Sequence, residues 1–280
     1  MNYRIIYSDN GTLKDFSTAL NKYTGGQEVM PYTTSEDYLY IGSRFPFNSF
    51  YLMLNAYNSI DAQLIVSYWT GNEWRDAIEV NDETNGLKND GKISFVPSKT
   101  YASWARDDTV MGDDSTEEVE GLGGVVIYDH YWLRLKWSAT LTSSTALSWI
   151  GMKLANDEDL FLEYPFFDNS AIKTAYSPGK TDWKDQAVVA SGLVIDDLIR
   201  KGIIENQSQL LDTDKLRSAT VSKLAQVIYK ALGDDYVDEV ASAKKECYSR
   251  LHKSIFDVDS NNNAILDDME KRSRQGFLYR

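Results

Sequence analysis

The spacing of apolar residues changes once along this 280-residue chain, and the change constrains the fold more than any other feature. Before residue 177 the apolar residues alternate, most clearly in residues 131–137, where Arg134 and Lys136 fall on the polar face. Strict alternation is typical of a β-strand with one buried face. After residue 180 the apolar residues recur at helical spacing. The sequence therefore predicts an α+β protein of more than one domain, divided at the turn-forming Ser177-Pro178-Gly179-Lys180.

Residues 1–176 are predicted to form an aromatic-rich, acidic domain with a jelly-roll-like antiparallel β-sandwich fold. Short runs of β-forming residues separated by turns are typical of such sandwiches. The predicted strands cover residues 50–54, 62–69, 92–96, 131–137 and 148–154. The segment Thr70-Gly71-Asn72 lies between Trp69 and Trp74. It predicts a tight hairpin, because Gly71 and Asn72 both tolerate positive φ.

The remainder of the chain is predicted to be a helical bundle followed by an extended tail. In residues 181–255 three segments have an apolar face: residues 183–201, 212–233 and 236–254. Three amphipathic helices with short links form a small bundle, and Cys247 lies on an apolar face, where burial is expected. Residues 256–280 form the last predicted part, an Asp/Asn-rich turn and a basic tail.

The composition argues against several classes of function. One cysteine and two histidines exclude a disulfide framework and a cysteine-based zinc cluster, and leave little for histidine-dependent catalysis. The net charge of −13 argues against sequence-specific nucleic-acid binding, which needs clustered Lys and Arg. Neither a signal-type apolar region nor the ~18 uninterrupted apolar residues of a membrane helix occur. No motif for a nucleophile elbow, P-loop or zinc protease occurs. We therefore expect a protein that is not an enzyme, needs no cofactor and contacts no membrane.

The helix ends in residues 181–280 follow a particular arrangement. Asp182-Trp183-Lys184-Asp185-Gln186 opens the first predicted helix, which ends at Arg200-Lys201-Gly202, and Leu210-Leu211-Asp212-Thr213-Asp214-Lys215-Leu216 opens the second. This arrangement resembles the head–tail connector (adaptor) proteins of tailed bacteriophages, in which a small helical bundle forms a ring beneath the portal vertex. The resemblance covers a bit over a third of the chain and does not explain the β-domain.

The resemblance implies a structural protein of the virion neck, made in the host cytoplasm. Its partners would be the portal protein, tail or neck proteins and further copies of itself in a homo-oligomeric ring, which is twelve-fold in the family. The assembled channel would pass DNA without reading its sequence.

The last ten residues contain four basic residues and no acid, opposite in sign to the whole chain. In the family a tail of this kind attaches to the portal or to an adjacent ring subunit. The implied partner-binding residues are Lys271, Arg272, Arg274, Phe277, Leu278, Tyr279 and Arg280. Their apolar run also suits addition as an extended strand to a neighbouring sheet. The alternative is a frayed terminus without a role.

An aspartate-rich segment before this tail resembles an EF-hand calcium loop. Oxygen ligands fall at loop positions one, three, five, seven and twelve, as calcium prefers: Asp257, Asp259, Asn261, Asn263 and Asp268. Asn262 replaces the usual glycine, and Asp268 is one carbon shorter than the usual Glu. The alternatives are therefore a calcium site and a turn held by Asx hydrogen bonds without metal.

The aromatic hairpin supports a second function, that of a carbohydrate-binding virion decoration or a tail or baseplate protein. Exposed rings of Tyr68, Trp69 or Trp74 would stack on sugars. The alternative is that these aromatic residues fill the core of the sandwich.

Overall fold

A computed structural model of the chain describes residues 3–24, 26–104, 119–125, 127–254 and 256–273. Over these residues the fold is α+β, with eleven strands in two antiparallel sheets and seven α-helices. Two compact units are present. The first contains the residues up to Gly151 together with Asn261–Ile265, and the second contains Met152–Ser260 and the residues from Leu266 onward.

All the strands belong to the first unit. In chain order they are β1 (Arg4–Asp9), β2 (Thr12–Asp15), β3 (Glu28–Val29), β4 (Tyr38–Ser43), β5 (Ser49–Ala56), β6 (Leu64–Trp69), β7 (Trp74–Asp76), β8 (Ile78–Asp82), β9 (Gly91–Val96), β10 (Tyr131–Trp137) and β11 (Ala146–Gly151). One sheet has the order β2-β1-β4-β10-β6-β7, and the other has the order β3-β11-β5-β9-β8. All five predicted strands overlap observed ones, whereas β1 to β4 and β8 were not predicted and β7 was expected only as the second arm of the hairpin.

Side chains from both sheets share one hydrophobic cluster. Leu133 and Leu135 of β10 contribute from the first sheet, and Phe50 and Leu52 of β5 contribute from the second. All four are at most 1% exposed. The alternation in residues 131–137 therefore predicted the inner face of β10 correctly. The opposite face of the first sheet is not simply solvated, because Trp132 is fully buried there in a second cluster.

The predicted hairpin joins β6 to β7. Trp69 lies opposite Trp74 in the antiparallel register, and Thr70 closes the turn with a 3.0 Å backbone hydrogen bond to the carbonyl of Glu73. Gly71 has φ +100°, a conformation that glycine adopts without strain. Asn72 has no positive φ, so only one of the two expected turn residues needs this freedom.

Helix α1 (Ser17–Leu20) lies in the first unit, and all other helices lie in the second. They are α2 (Asp157–Glu163), α3 (Ser170–Tyr176), α4 (Lys184–Arg200), α5 (Arg217–Leu232), α6 (Val237–Lys253) and α7 (Asp268–Ser273). The three predicted helices correspond to α4, α5 and α6. Helix α5 packs against both α4 and α6. Cys247 is 1% exposed on α6, as predicted, and burial raises the pKa of its thiol.

The boundary between the units lies earlier than the Ser177–Lys180 turn. The segment after Gly151 forms α2 and α3, and Leu160 and Phe167 are fully buried in a cluster with Trp183 of the helical unit. Helix α2 begins with a capping box in which Asn156 and Asp159 each accept a hydrogen bond from the other's backbone N–H. Two helices of seven residues are too short to show a clear apolar stripe, which explains why residues 152–176 were assigned to the β-domain.

In the described part of the chain, no helix combines the length and apolarity that a bilayer crossing needs.

Candidate functional site

Two of the three aromatic residues expected to stack on sugars are core residues. Tyr68 and Trp69 are each 2% exposed. The Tyr68 hydroxyl donates a 2.7 Å hydrogen bond to Ser98 Oγ, and its ring packs at 5.5 Å from that of Tyr101. These two rings therefore fill the interior and present no face to a sugar. The expectation of stacking on Tyr68 and Trp69 is corrected accordingly, in favour of the core-filling alternative.

Trp74 is half-buried and takes part in a cation–aromatic stack on the outer face of the first sheet. The Arg134 guanidinium lies 4.9 Å from the centre of the Trp74 ring and 5.0 Å from that of Tyr38. The Trp74 indole N–H donates a 3.0 Å hydrogen bond to the carbonyl of Glu120. Burial, opposed by the neighbouring Arg134, raises the pKa of Tyr40 to about 12, so this hydroxyl stays protonated at neutral pH.

A groove of about 560 Å³ opens beside this stack. Its lining combines two tyrosine rings, one carboxylate and glycine backbone: Ser8, Gly11, Leu13, Glu36, Tyr38, Tyr40, Gly121, Gly123, Gly124 and Val125. Gly121 has φ +89°, and a Cβ there would lie 2.1 Å from the Tyr40 hydroxyl oxygen, so only glycine fits. Sequence reasoning missed this site, although the glycine pattern and the Arg134 position on β10 were both visible.

The predicted calcium segment begins with a short pairing inside the second unit. The Leu211 N–H donates to the carbonyl of Asp257 at 3.2 Å, and the Asp259 N–H donates to that of Gln209 at 2.8 Å. Asp259 is 1% exposed. These backbone bonds hold the entry to the segment in an extended conformation.

The end of the same segment is a helix cap. Asp267 Oδ1 accepts from the N–H groups of Met269 and Glu270, and Glu270 Oε2 accepts from the Asp267 N–H at 3.0 Å. This reciprocal pair is a capping box for α7. Asn263 Oδ1 also accepts from the Ile265 N–H at 2.7 Å, an Asx turn. The Asx-turn alternative therefore has direct geometric support.

The predicted calcium ligands are divided between the two units. Asn261 and Asn263 belong to the first unit, and Asp257, Asp259 and Asp268 belong to the second. Across the described ranges, no group of three or more His, Cys, Asp or Glu side chains could hold a metal ion. Calcium binding stays a prediction.

Most of the predicted partner-binding tail lies outside the described residues, namely Arg274, Phe277, Leu278, Tyr279 and Arg280. The Lys271 side chain is exposed on α7 and pairs with Asp268 at 3.2 Å. The backbone of Arg272 continues the same helix. The first residues of the tail therefore belong to a short helix that a capping box fixes.

The core of the helical unit contains a buried ion pair that sequence reasoning did not find. Lys223 Nζ of α5 lies 3.2 Å from Asp197 Oδ2 of α4, and their side chains are 10% and 7% exposed. Arg200 contacts the other oxygen of Asp197. The ammonium groups of Lys223 and Lys201 lie 5.7 and 5.3 Å from the Tyr248 ring centre. The cluster connects α4, α5 and α6.

A second polar network joins α2, α5 and α6. Arg250 donates to the backbone carbonyl of Ser218 at 2.9 Å and forms ion pairs with Glu163 and Glu246. The Tyr164 hydroxyl donates to Glu246 Oε2 at 2.7 Å. Burial first, and then this hydrogen bond, raise the pKa of Tyr164 to about 12. This network holds α2, α5 and α6 in fixed relative positions, as a structural scaffold requires.

No protein-family model matches this chain. Comparisons with curated proteins and with solved structures gave no match either. The chemistry of the candidate sites therefore rests on the residues described above.

Proposed function

We propose that this chain is a head–tail connector (adaptor) subunit in the virion of a tailed bacteriophage. It forms a homo-oligomeric ring, twelve-fold as in the family it resembles, between the portal protein and tail or neck proteins. The segments that carry the resemblance coincide with helix ends in the second unit. Helix α4 begins at Lys184, directly after Asp182-Trp183, and α5 follows a short helical turn at Thr213–Leu216.

The observation that carries this proposal is the exposure of large apolar side chains on the helical unit. Leu162 of α2 is 84% exposed, Val237 of α6 is 60% exposed and Val189 of α4 is 53% exposed. Single exposed apolar residues need no explanation, whereas exposed apolar side chains on three helices that all pack against α5 suit contact with other chains. An assembly protein uses such surfaces, and repeated head-to-tail contacts generate a closed ring when the rotation closes.

The mechanism is assembly without turnover. In the proposed arrangement three helices form the adaptor-like bundle, and residues 271–280 attach to the portal or to an adjacent subunit. The first unit would be a jelly-roll-like sandwich. This topology is supported by the strand pairing. Strands β4 and β10 pair in one sheet, and the strands that follow them in the chain, β5 and β11, pair in the other sheet.

The charge of the chain suits a channel through which DNA passes. Residues 1–176 contain 13 Lys and Arg against 25 Asp and Glu, so an acidic surface near the channel would repel the phosphate backbone. No sequence-specific nucleic-acid contact, membrane contact or enzymatic step is part of this proposal.

The decisive experiment mixes the purified chain with portal rings of its phage and images the product by negative-stain electron microscopy. An added ring of density on the portal is the expected result. Deletion of residues 271–280 should abolish attachment, while Lys271→Ala alone should weaken it slightly. Bare portal rings in the presence of the full-length chain would contradict the proposal.

The groove beside Tyr38 favours a second candidate, a carbohydrate-binding virion decoration or a tail or baseplate protein. Its tyrosine rings and the Glu36 carboxylate offer stacking and hydrogen bonding to a sugar. A glycan array tests this candidate, with Tyr38→Ala as the variant expected to lose binding. Tyr57→Ala, at a 46% exposed tyrosine away from the groove lining, is the matched control. An empty array would exclude the candidate.

A further inference from the structure

The outer face of α4 carries three exposed apolar side chains around the exposed Asp196. Val189 is 53% exposed, Leu193 is 40% exposed and Ile199 is 39% exposed. Within the ranges that the structure describes, these side chains remain open to solvent although the opposite face of α4 is fully packed. A helix with a buried face and further apolar side chains on its outer face has more contact surface than its own fold uses.

Gly192 lies on the same outer face, between Val189 and Leu193, and is exposed. A Cβ added to Gly192 would meet no heavy atom within 4 Å. The fold of this chain therefore gives no reason for a glycine here, and glycine in the middle of a helix is less stable than alanine. A glycine on a helix surface permits the close approach of another backbone.

The outer face of α6 has a complementary shape. Ala241, Ser242 and Ser249 are exposed there, and Lys245 lies between them. Small side chains on both sides of Lys245 leave shallow positions, and Ser249 is the one opposite Val189 when the charges at the helix ends are paired antiparallel. The aliphatic part of Lys245 can cover apolar surface while its ammonium group stays in water.

The charges at the two helix ends also match. On α4, Asp185 is near the start and Arg200 is at the end; on α6, Asp238 is near the start and Lys253 is at the end. The sequence separation of the two charges is the same in both helices. An antiparallel pairing therefore places each acid opposite a base. Arg200 and Asp185 have partners within the chain, yet their side chains remain 73% and 57% exposed.

The two faces lie on different helices that both pack against α5. One copy can therefore use its α4 face while another copy uses its α6 face. Such a contact joins different surfaces of identical chains, which is the heterologous type that generates rings.

We propose that the outer face of α4 binds the outer face of α6 of a second copy of this chain, with the helices antiparallel and Gly192 at the point of closest approach. The ring as its product rests on the proposed function, whereas the contact itself rests on the exposed residues, the glycine and the charges described above.

The test compares Gly192→Leu with Ala231→Leu, a matched control at an exposed position near the end of α5. Self-association of the full-length chain is measured by sedimentation velocity up to millimolar concentration, alone and with portal rings of its phage. We expect Gly192→Leu to weaken association at least about tenfold and Ala231→Leu to leave it unchanged. The melting temperature of the Gly192→Leu monomer should be no lower than that of the native chain, because leucine favours helix more than glycine does.

A charge exchange between the two helix ends is the second part of the test. Asp185→Lys should weaken association, and the combination with Lys253→Asp should restore it. Native association by the Gly192→Leu variant would overturn the proposal, and so would a native chain that stays monomeric with and without portal rings.

The two proposals fail separately. Association through α4 without portal binding would refute the connector function and leave this contact standing. Equal added density on portal rings with the native and the Gly192→Leu chains would refute this contact and leave the connector function standing.

Discussion

The ammonium group of Lys223 lies 3.2 Å from the carboxylate of Asp197, and this ion pair connects α5 to α4 inside the helical unit. Charged side chains with 10% and 7% exposure lose most of their hydration, so they are tolerated only as a pair. The pair thus fixes which faces of the two helices meet.

Removal of one partner should be more harmful than removal of both. Lys223→Met leaves the buried Asp197 carboxylate with Arg200 as its remaining ion-pair partner, and we expect a loss of about 3 kcal/mol in the free energy of unfolding. The double variant Asp197→Leu/Lys223→Met should lose less than the single variant. Urea denaturation followed by circular dichroism measures both values. A loss in the double variant as large as in Lys223→Met would contradict the expected penalty of an unpaired buried Asp197 carboxylate.

A second prediction concerns Asp37, a buried carboxylate in the first unit. Asp37 accepts hydrogen bonds from the Tyr7 hydroxyl at 2.8 Å, the Asn10 N–H at 2.8 Å and the Thr33 N–H at 2.7 Å. Asp37→Ala leaves the fully buried Tyr7 hydroxyl without this acceptor, so we expect a loss of about 3 kcal/mol, measured by urea denaturation.

Asp9→Ala is the control for this variant. Asp9 pairs with Lys14 on the surface, where the side chains are 38% and 45% exposed, and its removal should change stability by less than about 1 kcal/mol. A cost for Asp37→Ala as small as that of the control would contradict the importance of the three hydrogen bonds.

The network around Glu246 predicts a dependence of stability on pH. The hydrogen bond from Tyr164, and then the charge of Arg250, lower the pKa of Glu246 from its ordinary value of 4.5. A lowered folded-state pKa adds stability that is fully present above the unfolded-state pKa and is lost as the pH falls through the folded-state value. Because the side chain is 42% exposed, solvent screening limits this contribution to less than about 1 kcal/mol.

Glu246→Gln is the variant that isolates this effect. At pH 7 it should melt at a lower temperature than the native chain, and the difference should shrink as the pH falls below 4.5. Thermal melts across this interval provide the measurement. A difference that stays constant with pH would assign the loss to packing and not to the charge.

The aspartate-rich segment provides a fourth prediction. Calcium binding, as the ligand spacing predicts, would release or absorb heat in a calorimetric titration and raise the melting temperature. Asp257→Asn/Asp259→Asn should remove both effects, and Asp234→Asn/Asp235→Asn, a pair of acids before α6, should leave them unchanged. If calcium produces no heat and no change in the melting temperature of the native chain, the calcium interpretation is wrong. The segment is then a turn held by the Asx hydrogen bond and the capping box.

The segments with the strongest periodicity were predicted best. Residues 131–137 coincide with β10, and the predicted third helix, residues 236–254, differs from α6 by one residue at each end. In both segments one buried face repeats over many residues, so the pattern reflects the packing directly. Helices α2 and α3 were missed because each has seven residues, and such a length shows fewer than two full repeats of a helical stripe.

The candidate sites were harder to predict because they depend on contacts between distant segments. Alternation marked the Arg134 face of β10 as polar, but Arg134 packs between Tyr38 and Trp74, which approach it from other strands. The Asp197–Lys223 pair likewise joins two helices, and each residue alone resembles an ordinary surface charge in the sequence. Gly192 was visible, but its lack of neighbours became evident only from the structure.

We propose that this chain acts by assembling on a portal through its helical unit. The decisive measurement is negative-stain microscopy of portal rings mixed with the full-length chain, in parallel with the chain lacking residues 271–280. We expect an additional ring of density with the full-length chain and bare portals with the truncated one. Portals that remain bare with both chains, beside a monomer that binds a sugar, would contradict this proposal.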